Sequence, residues 1–325
     1  MGGHEAVAIS SRRVLVTGVA GFIGSHLAEA LLDAGNEVVG VDAFVGFHGA
    51  EHKHRHLESL RPRRGFTFHE LDLRHAPLEP ALDGVDVVVH EAALAGLPTS
   101  WADVDSYVTC NITGTARLLE AARHAGVAKF VHASTSSVYG RDAVGDELQQ
   151  TRPVSPYGVS KLAAEKLVMA YVELHDLPAT VLRYFSIYGP RQRPDMAYQI
   201  FIEALADGRP ITVFGDGHQS RSNTYVSDCV AATVAAIDGA QVGEVYNVGG
   251  GVTLELREAI ELIARAIGVT PKVVHGPSRR GDQRVTSADF SKARDTFGYE
   301  PAVAPPEGLA AQVDWALAAR MQDAA

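Results

Sequence analysis

Apolar residues along the first half of the chain fall into two alternating patterns. Short continuous runs rich in valine read as strands buried on both faces. Between them, apolar positions recur every three or four residues, as on helices. Val14–Thr17 reads as a strand and Gly21–Ala34 as a helix, followed by strands at Glu37–Val41, Phe66–Leu71 and Val85–His90. Helical spacing over Val104–Ala125 leads into a strand at Lys129–Ala133. A long helix over Pro156–Glu173 precedes a strand at Ala179–Phe185. This alternation predicts an α/β fold with a doubly wound parallel sheet covered by helices on both faces.

From about Tyr188 glycine and proline punctuate the chain, in Tyr188-Gly189-Pro190, Phe214-Gly215-Asp216-Gly217 and Asn247-Val248-Gly249-Gly250-Gly251. Shorter elements lie between them, including helical stretches at Ser227–Ile237 and Leu254–Ile267. The expected division is a larger domain over 1–188, with 226–250 returning to it, and a smaller capping lobe over most of 189–325. A cleft between such lobes, at the carboxyl ends of the strands, is the expected ligand site.

Composition narrows the classes. The chain has 325 residues and a net charge of −10, which argues against nucleic acid and anionic lipid as partners. No apolar run is long enough to span a bilayer, and the first 13 residues lack the apolar core of a signal peptide. Two distant cysteines, Cys110 and Cys229, leave no disulfide framework. A cytoplasmic enzyme is the expectation.

The segment Gly18-Val19-Ala20-Gly21-Phe22-Ile23-Gly24 has the spacing G-x-x-G-x-x-G between a strand and a helix. In that context the first glycine allows a tight turn, the second a close approach to a pyrophosphate, and the third close helix–strand packing. This makes the sheet a Rossmann-type one. Asp42 follows Gly18 by 24 residues at the end of the second strand, and Ala43 rather than an arginine stands beside it. A carboxylate there accepts ribose hydroxyls and repels a 2′-phosphate, so NAD is expected over NADP. Asp72, after the third strand, is a candidate for contact with the adenine.

Tyr157 and Lys161 stand four apart, on one face of the long helix. A neighbouring ammonium is expected to lower the phenol's pKa and to equip it to take a proton from a sugar hydroxyl. The fifth strand ends in Ser134-Thr135-Ser136-Ser137, four hydroxyls suited to holding the reacting oxygen and other sugar groups.

These motifs are similar to those of the extended short-chain dehydrogenase/reductases, in the NAD-dependent epimerase/dehydratase group acting on nucleotide sugars. The resemblance runs from about Val14 to Leu317 and includes Asn111-Ile112-Thr113-Gly114-Thr115 and Tyr184-Phe185-Ser186-Ile187-Tyr188-Gly189-Pro190. Within the group the chain looks most like the UDP-glucuronic acid 4-epimerases. The resemblance implies catalytic roles for Thr135, Tyr157 and Lys161, the last two also touching the cofactor. It implies cofactor contacts from Gly18, Gly21, Phe22, Ile23, Gly24, Asp42, Asp72 and Leu73. Substrate contacts would come from Ser136, Ser137, Ser186 and Arg193, with Arg221 and Arg279 on the UDP diphosphate and Asp282 at the uridine. Departures from the group's usual pattern are Ala95–Trp101, which lacks a loop arginine, Glu91 in place of the usual leucine, and Arg221-Ser222-Asn223.

Oxidation at C4 opens several reactions in this group. A 4,6-dehydratase carries Asp-Glu after the catalytic threonine, and a UDP-glucuronate decarboxylase usually carries glutamate where Ser137 stands. Ser136 and Ser137 therefore favour a 4-epimerase, with UDP-glucuronate and UDP-galacturonate as the expected pair. UDP-glucose 4-epimerisation and decarboxylation are the alternatives, and a non-catalytic NAD-binding regulator is disfavoured because Tyr157, Lys161 and Thr135 are all present. His52, His54 and His56 lack metal-ligand spacing and read as a solvated polar loop, so no metal is expected. The helices at Val104–Ala125 and Pro156–Glu173 resemble the pair that forms a homodimer interface in the group.

Overall fold

The computed structural model describes residues 11–46, 49–277 and 284–323. Seven parallel strands form the central sheet: β1 Arg13–Thr17, β2 Glu37–Asp42, β3 Phe66–Glu70, β4 Val87–His90, β5 Lys129–Thr135, β6 Ala179–Tyr184 and β7 Val245–Val248. Their order is β7-β6-β5-β4-β1-β2-β3. The order reverses between β1 and β4, where connections leave to opposite sides and open a crevice at the carboxyl ends. The valine runs at β1, β2 and β4 are buried, which is why they show no polar alternation.

Two apolar clusters cover the sheet. One packs helix α1 (Phe22–Asp33) and the later helix Val226–Gly239 against one face. The other packs the helices Gly114–Ala125 and Pro156–His175 against the opposite face. A third cluster belongs to the C-terminal lobe, built on the helices Ala197–Ala206, Leu256–Ile267 and Pro305–Asp323. Arg191, at the start of that lobe, grips Glu29 on α1 through two hydrogen bonds of 3.0 and 2.7 Å.

The structure corrects two expectations. The histidine-rich segment is not a loop but a helix, α2 (Glu51–Glu58). His56 is buried, and its Nδ1 lies 2.9 Å from Ala20 O in the glycine turn. Burial pushes its pKa down to about 4, so it serves the turn as a neutral ring. The single helix expected over 104–125 is split into α3 (Val104–Val108), a π-turn at Thr109–Thr113, and α4 (Gly114–Ala125). Asn111 sits in the wide turn. It accepts a hydrogen bond from Leu94 N (2.8 Å) and donates to Leu94 O (2.9 Å) and Ser160 Oγ (3.0 Å). One side chain thereby ties the loop after β4 to the helix α5 (Pro156–His175).

Helix α5 is fixed to the sheet by a buried ion pair. Glu165 accepts from Arg183 Nε (3.0 Å) and Nη2 (2.8 Å), and Ser134 Oγ donates to the same carboxylate. Arg183 also donates to Tyr139 Oη at 2.9 Å, and Tyr139 donates to Asn247 Oδ1 at 2.7 Å. The chain of contacts crosses from α5 through β5 and β6 to β7. Glu165→Ala should therefore destabilise the fold by about 3–5 kcal/mol, the cost of stranding a buried guanidinium. Urea unfolding checks this, and a loss below about 1 kcal/mol would contradict it.

Candidate active site

A cavity of about 400 Å³ lies over the carboxyl ends of β1, β4, β5 and β6, and the loop and helix that follow β2 also line it. Its first wall is the glycine turn. Gly18 has φ +71°, and a Cβ there would lie 2.8 Å from Ala92 N after β4, so only glycine lets the two strand ends close together. Helix α1 starts at N-cap Gly21 with no side chain capping it and no acidic residue in its first turn. Its leading amides and positive dipole end are thus free of an internal anion. Gly18, Gly21, Phe22, Ile23 and Gly24 all line the cavity.

Asp42 closes the second wall and is 6% exposed. Its Oδ2 accepts from Ala20 N (3.2 Å), and its Oδ1 accepts from Phe44 N (2.7 Å) and Lys53 Nζ (3.1 Å). Ala43 puts no arginine beside Asp42, but helix α2 delivers a lysine, Lys53, from eleven residues downstream. Asp72 and Leu73 also line the cavity. Arg74 grips the Asp72 carboxylate and holds its pKa below the usual range. The uncapped helix, the glycine cradle and the carboxylate fit a dinucleotide: pyrophosphate on the α1 amides, ribose hydroxyls on Asp42.

The catalytic wall comes from β5 and α5. Thr135, Ser136, Ser137, Tyr157 and Lys161 line it, and Ser186 and Arg193 face the same cavity. Ser155 caps α5 by accepting from Gly158 N at 3.1 Å, which sets the turn that presents Tyr157. The Tyr157 ring packs edge-on to buried Tyr107, with centroids 6.2 Å apart. Tyr107 in turn donates to the carbonyls of Ala95 and Gly96, so it holds the loop that lacks the expected arginine.

The electrostatics differ from the simple expectation. Burial raises the Tyr157 pKa, opposed by a hydrogen bond to Thr135 and by the Arg193 charge. Burial pushes Lys161 down to about 8, opposed by Glu91 and Glu165. The expected lowering of the phenol by the Lys161 ammonium is therefore corrected: desolvation is the larger effect on Tyr157.

Glu91 lies in this cavity, at the end of β4. It accepts a hydrogen bond from Tyr184 Oη at 2.7 Å, and burial pushes its pKa up to about 7. Sequence reasoning marked Glu91 only as a departure, and gave no role to Lys53 or to the Tyr184 hydroxyl. Arg221 lies on the short strand Ser220–Arg221 and is not among the residues lining this cavity; its Nη1 donates to Ser220 O at 3.0 Å. Arg279 and Asp282 fall outside the described residues. Arg193 reaches the cavity while its Nε and Nη2 donate to Asp195, each at 3.0 Å.

Comparison with known proteins agrees with this geometry. The chain is 41% identical to a UDP-glucuronic acid 4-epimerase from Bacillus cereus, whose crystal structure contains UDP-glucuronic acid and NAD. The two superpose with a TM-score of 0.91, covering 94% of this chain and 99% of that one. A UDP-glucuronate 4-epimerase of Thermodesulfobacterium geofontis is 38% identical over 308 residues, 93% of this chain and 95% of that one. An uncharacterized UDP-glucose epimerase, YtcB, of Bacillus subtilis is 41% identical over 305 residues, 93% of this chain and 96% of that one. The family profile matches residues 14–249, and the chain belongs to the NAD dependent epimerase/dehydratase family.

Proposed function

We propose that this protein is an NAD-dependent 4-epimerase of nucleotide sugars that interconverts UDP-glucuronate and UDP-galacturonate. The observation that carries the reading is the end of β5. Tyr157 faces Thr135, Ser136 and Ser137 there, with hydroxyls where elimination or assisted decarboxylation would use carboxyl groups. Among the described residues Glu91 is the one glutamate lining the cavity; it follows β4 and accepts a hydrogen bond from Tyr184. Likeness to the two UDP-glucuronate epimerases supports the choice of sugar.

Bound NAD supplies the acceptor and donor of the hydrogen at C4. Tyr157 takes the proton of the C4 hydroxyl and returns it, while the Thr135 hydroxyl holds the same oxygen. The Thr135 hydrogen bond and the Arg193 charge oppose burial at the phenol and so favour its ionised form, and Lys161 is assigned to the cofactor by resemblance to the family. Ser136, Ser137 and Ser186 offer neutral hydrogen bonds to the C6 carboxylate, and Arg193 offers charge. Arg221, Arg279 and Asp282 are assigned to the UDP end by resemblance to the family. Between departure and return of hydrogen the 4-keto sugar must present its opposite face, which needs a pocket that grips the nucleotide and leaves the ring room to turn.

The finer assignments are a cytoplasmic homodimer. Exposed Trp101, Val104 and Val108 near the start of the α3–α4 segment, with Val159 exposed on α5, support the dimer reading. Among the described residues no helix is long and apolar enough to cross a membrane.

Three outcomes test the reading. NMR of products from a panel of UDP- and dTDP-sugars should show interconversion of UDP-glucuronate and UDP-galacturonate; exclusive turnover of UDP-glucose, or accumulation of a pentose product, would overturn it. Tyr157→Phe should lower kcat by about 10²- to 10⁴-fold with NAD still bound; near-normal turnover would remove Tyr157 from proton transfer. Asp42→Ala should shrink the preference for NAD over NADP by at least about tenfold, because it also frees Lys53 to meet a 2′-phosphate. An unchanged preference, measured by cofactor titration, would place the adenosine ribose elsewhere.

A further inference from the structure

Glu91 is an ionisable group in the cavity that the mechanism above does not use. Glu91 follows β4 directly, and β4 is pinned to its neighbours: His90 Nδ1 lies 2.7 Å from Thr17 Oγ1 on β1, and His90 Nε2 lies 2.8 Å from Thr115 Oγ1 on α4. A Cβ on Gly18 would sit 3.1 Å from the Glu91 carbonyl carbon, so the Glu91 backbone abuts the phosphate-binding turn. Its carboxylate reaches the other way, to Tyr184 at the end of β6. Tyr184 pairs in register with Thr135, and its Oη also lies 2.7 Å from Thr233 Oγ1 on the helix Val226–Gly239. Glu91 therefore spans the cavity floor between the turn that takes the pyrophosphate and the wall that carries Tyr157.

The groups facing Glu91 set its electrostatic meaning. They are Tyr157 and Lys161 from α5, Tyr184 from β6, and Cys229 from the helix Val226–Gly239. Farther along α5, Glu165 also opposes the effect of burial on Lys161, but both its oxygens are shared with Arg183. Glu91 is the larger of the two carboxylate influences on the ammonium. With the leucine usual at this position in the group, the floor would keep the ammonium and lose this carboxylate.

The geometry points to Glu91 as the residue that sets the cavity's preference between the two redox forms of its cofactor. Oxidised nicotinamide is a cation and reduced nicotinamide is neutral, so a carboxylate on the floor stabilises the oxidised form selectively. Glu91 acts on charge and takes no part in moving the C4 hydroxyl proton. The inference rests on reading the cavity as the NAD site and is independent of which sugar is turned over.

Competition between NAD and NADH, read by the fluorescence of bound NADH without sugar present, measures this preference directly. At pH 8.5 the ratio of affinities, NAD over NADH, should fall about tenfold in Glu91→Gln, the effect of a unit charge on the order of 10 Å away at an effective dielectric of about 20. Glu91→Leu carries the residue usual in the group and should fall alike, which guards against misfolding of one variant. Glu91→Asp should recover part of the preference. The wild-type ratio should also drop as pH falls through about 7, where Glu91 gains its proton, and that step should be missing from the Gln and Leu variants. Equal weakening of both cofactor forms would assign Glu91 a packing role and overturn the inference, as would an unchanged ratio in both variants.

Discussion

Burying an ammonium at the bottom of a catalytic cavity is the constraint around which this site is arranged. Lys161 is 3% exposed, and desolvating a lone cation costs several kcal/mol. The fold opposes that cost with two carboxylates, one from the same helix and one from the end of β4. Glu165, one turn along α5, is held by Arg183 and Ser134, which also anchors the helix to β5 and β6. Glu91 comes from β4 and is held by Tyr184. The same contacts that keep Lys161 charged therefore fix the helix that carries Tyr157. Stability and catalytic geometry share one set of side chains here.

The chain as a whole is an anion that binds anions. Its net charge of −10 contributes nothing favourable to holding a dinucleotide or a nucleotide sugar. Attraction has to be local, and the groups proposed for it are the uncapped start of α1 for the cofactor and Arg193, which lines the cavity, for the sugar end. Lys53 shows how closely opposite charges are set. It pairs with the Asp42 carboxylate at 3.1 Å, where that residue is 6% exposed. Arg74 does the same for Asp72. These pairings let the site carry charge without a strong net field of either sign.

Much of this arrangement was legible in the residues. Strands buried on both faces announce themselves as continuous valine runs, and the glycine spacing is dictated by backbone contacts that tolerate no Cβ. The Tyr157–Lys161 pair reads as one helical face because helix geometry alone sets it. What escaped did so for equally physical reasons. Helix α2 presents only His56 and Leu57 to the interior, so it has no apolar period and looks like a loop. Lys53 is invisible as an Asp42 partner until that helix forms. The π-turn at Asn111 leaves the surrounding spacing nearly helical. The titration of Tyr157 depends on burial, which four residues of spacing do not encode.

The central claim is that epimerisation proceeds by removal of the C4 hydrogen and its return to the opposite face inside one cavity. Following UDP-glucuronate labelled with deuterium at C4, in ordinary water, tests it most directly. Mass and NMR analysis should find the UDP-galacturonate product with deuterium retained at C4 and no label in the solvent. Loss of the label to water, or its appearance at C5, would contradict the account.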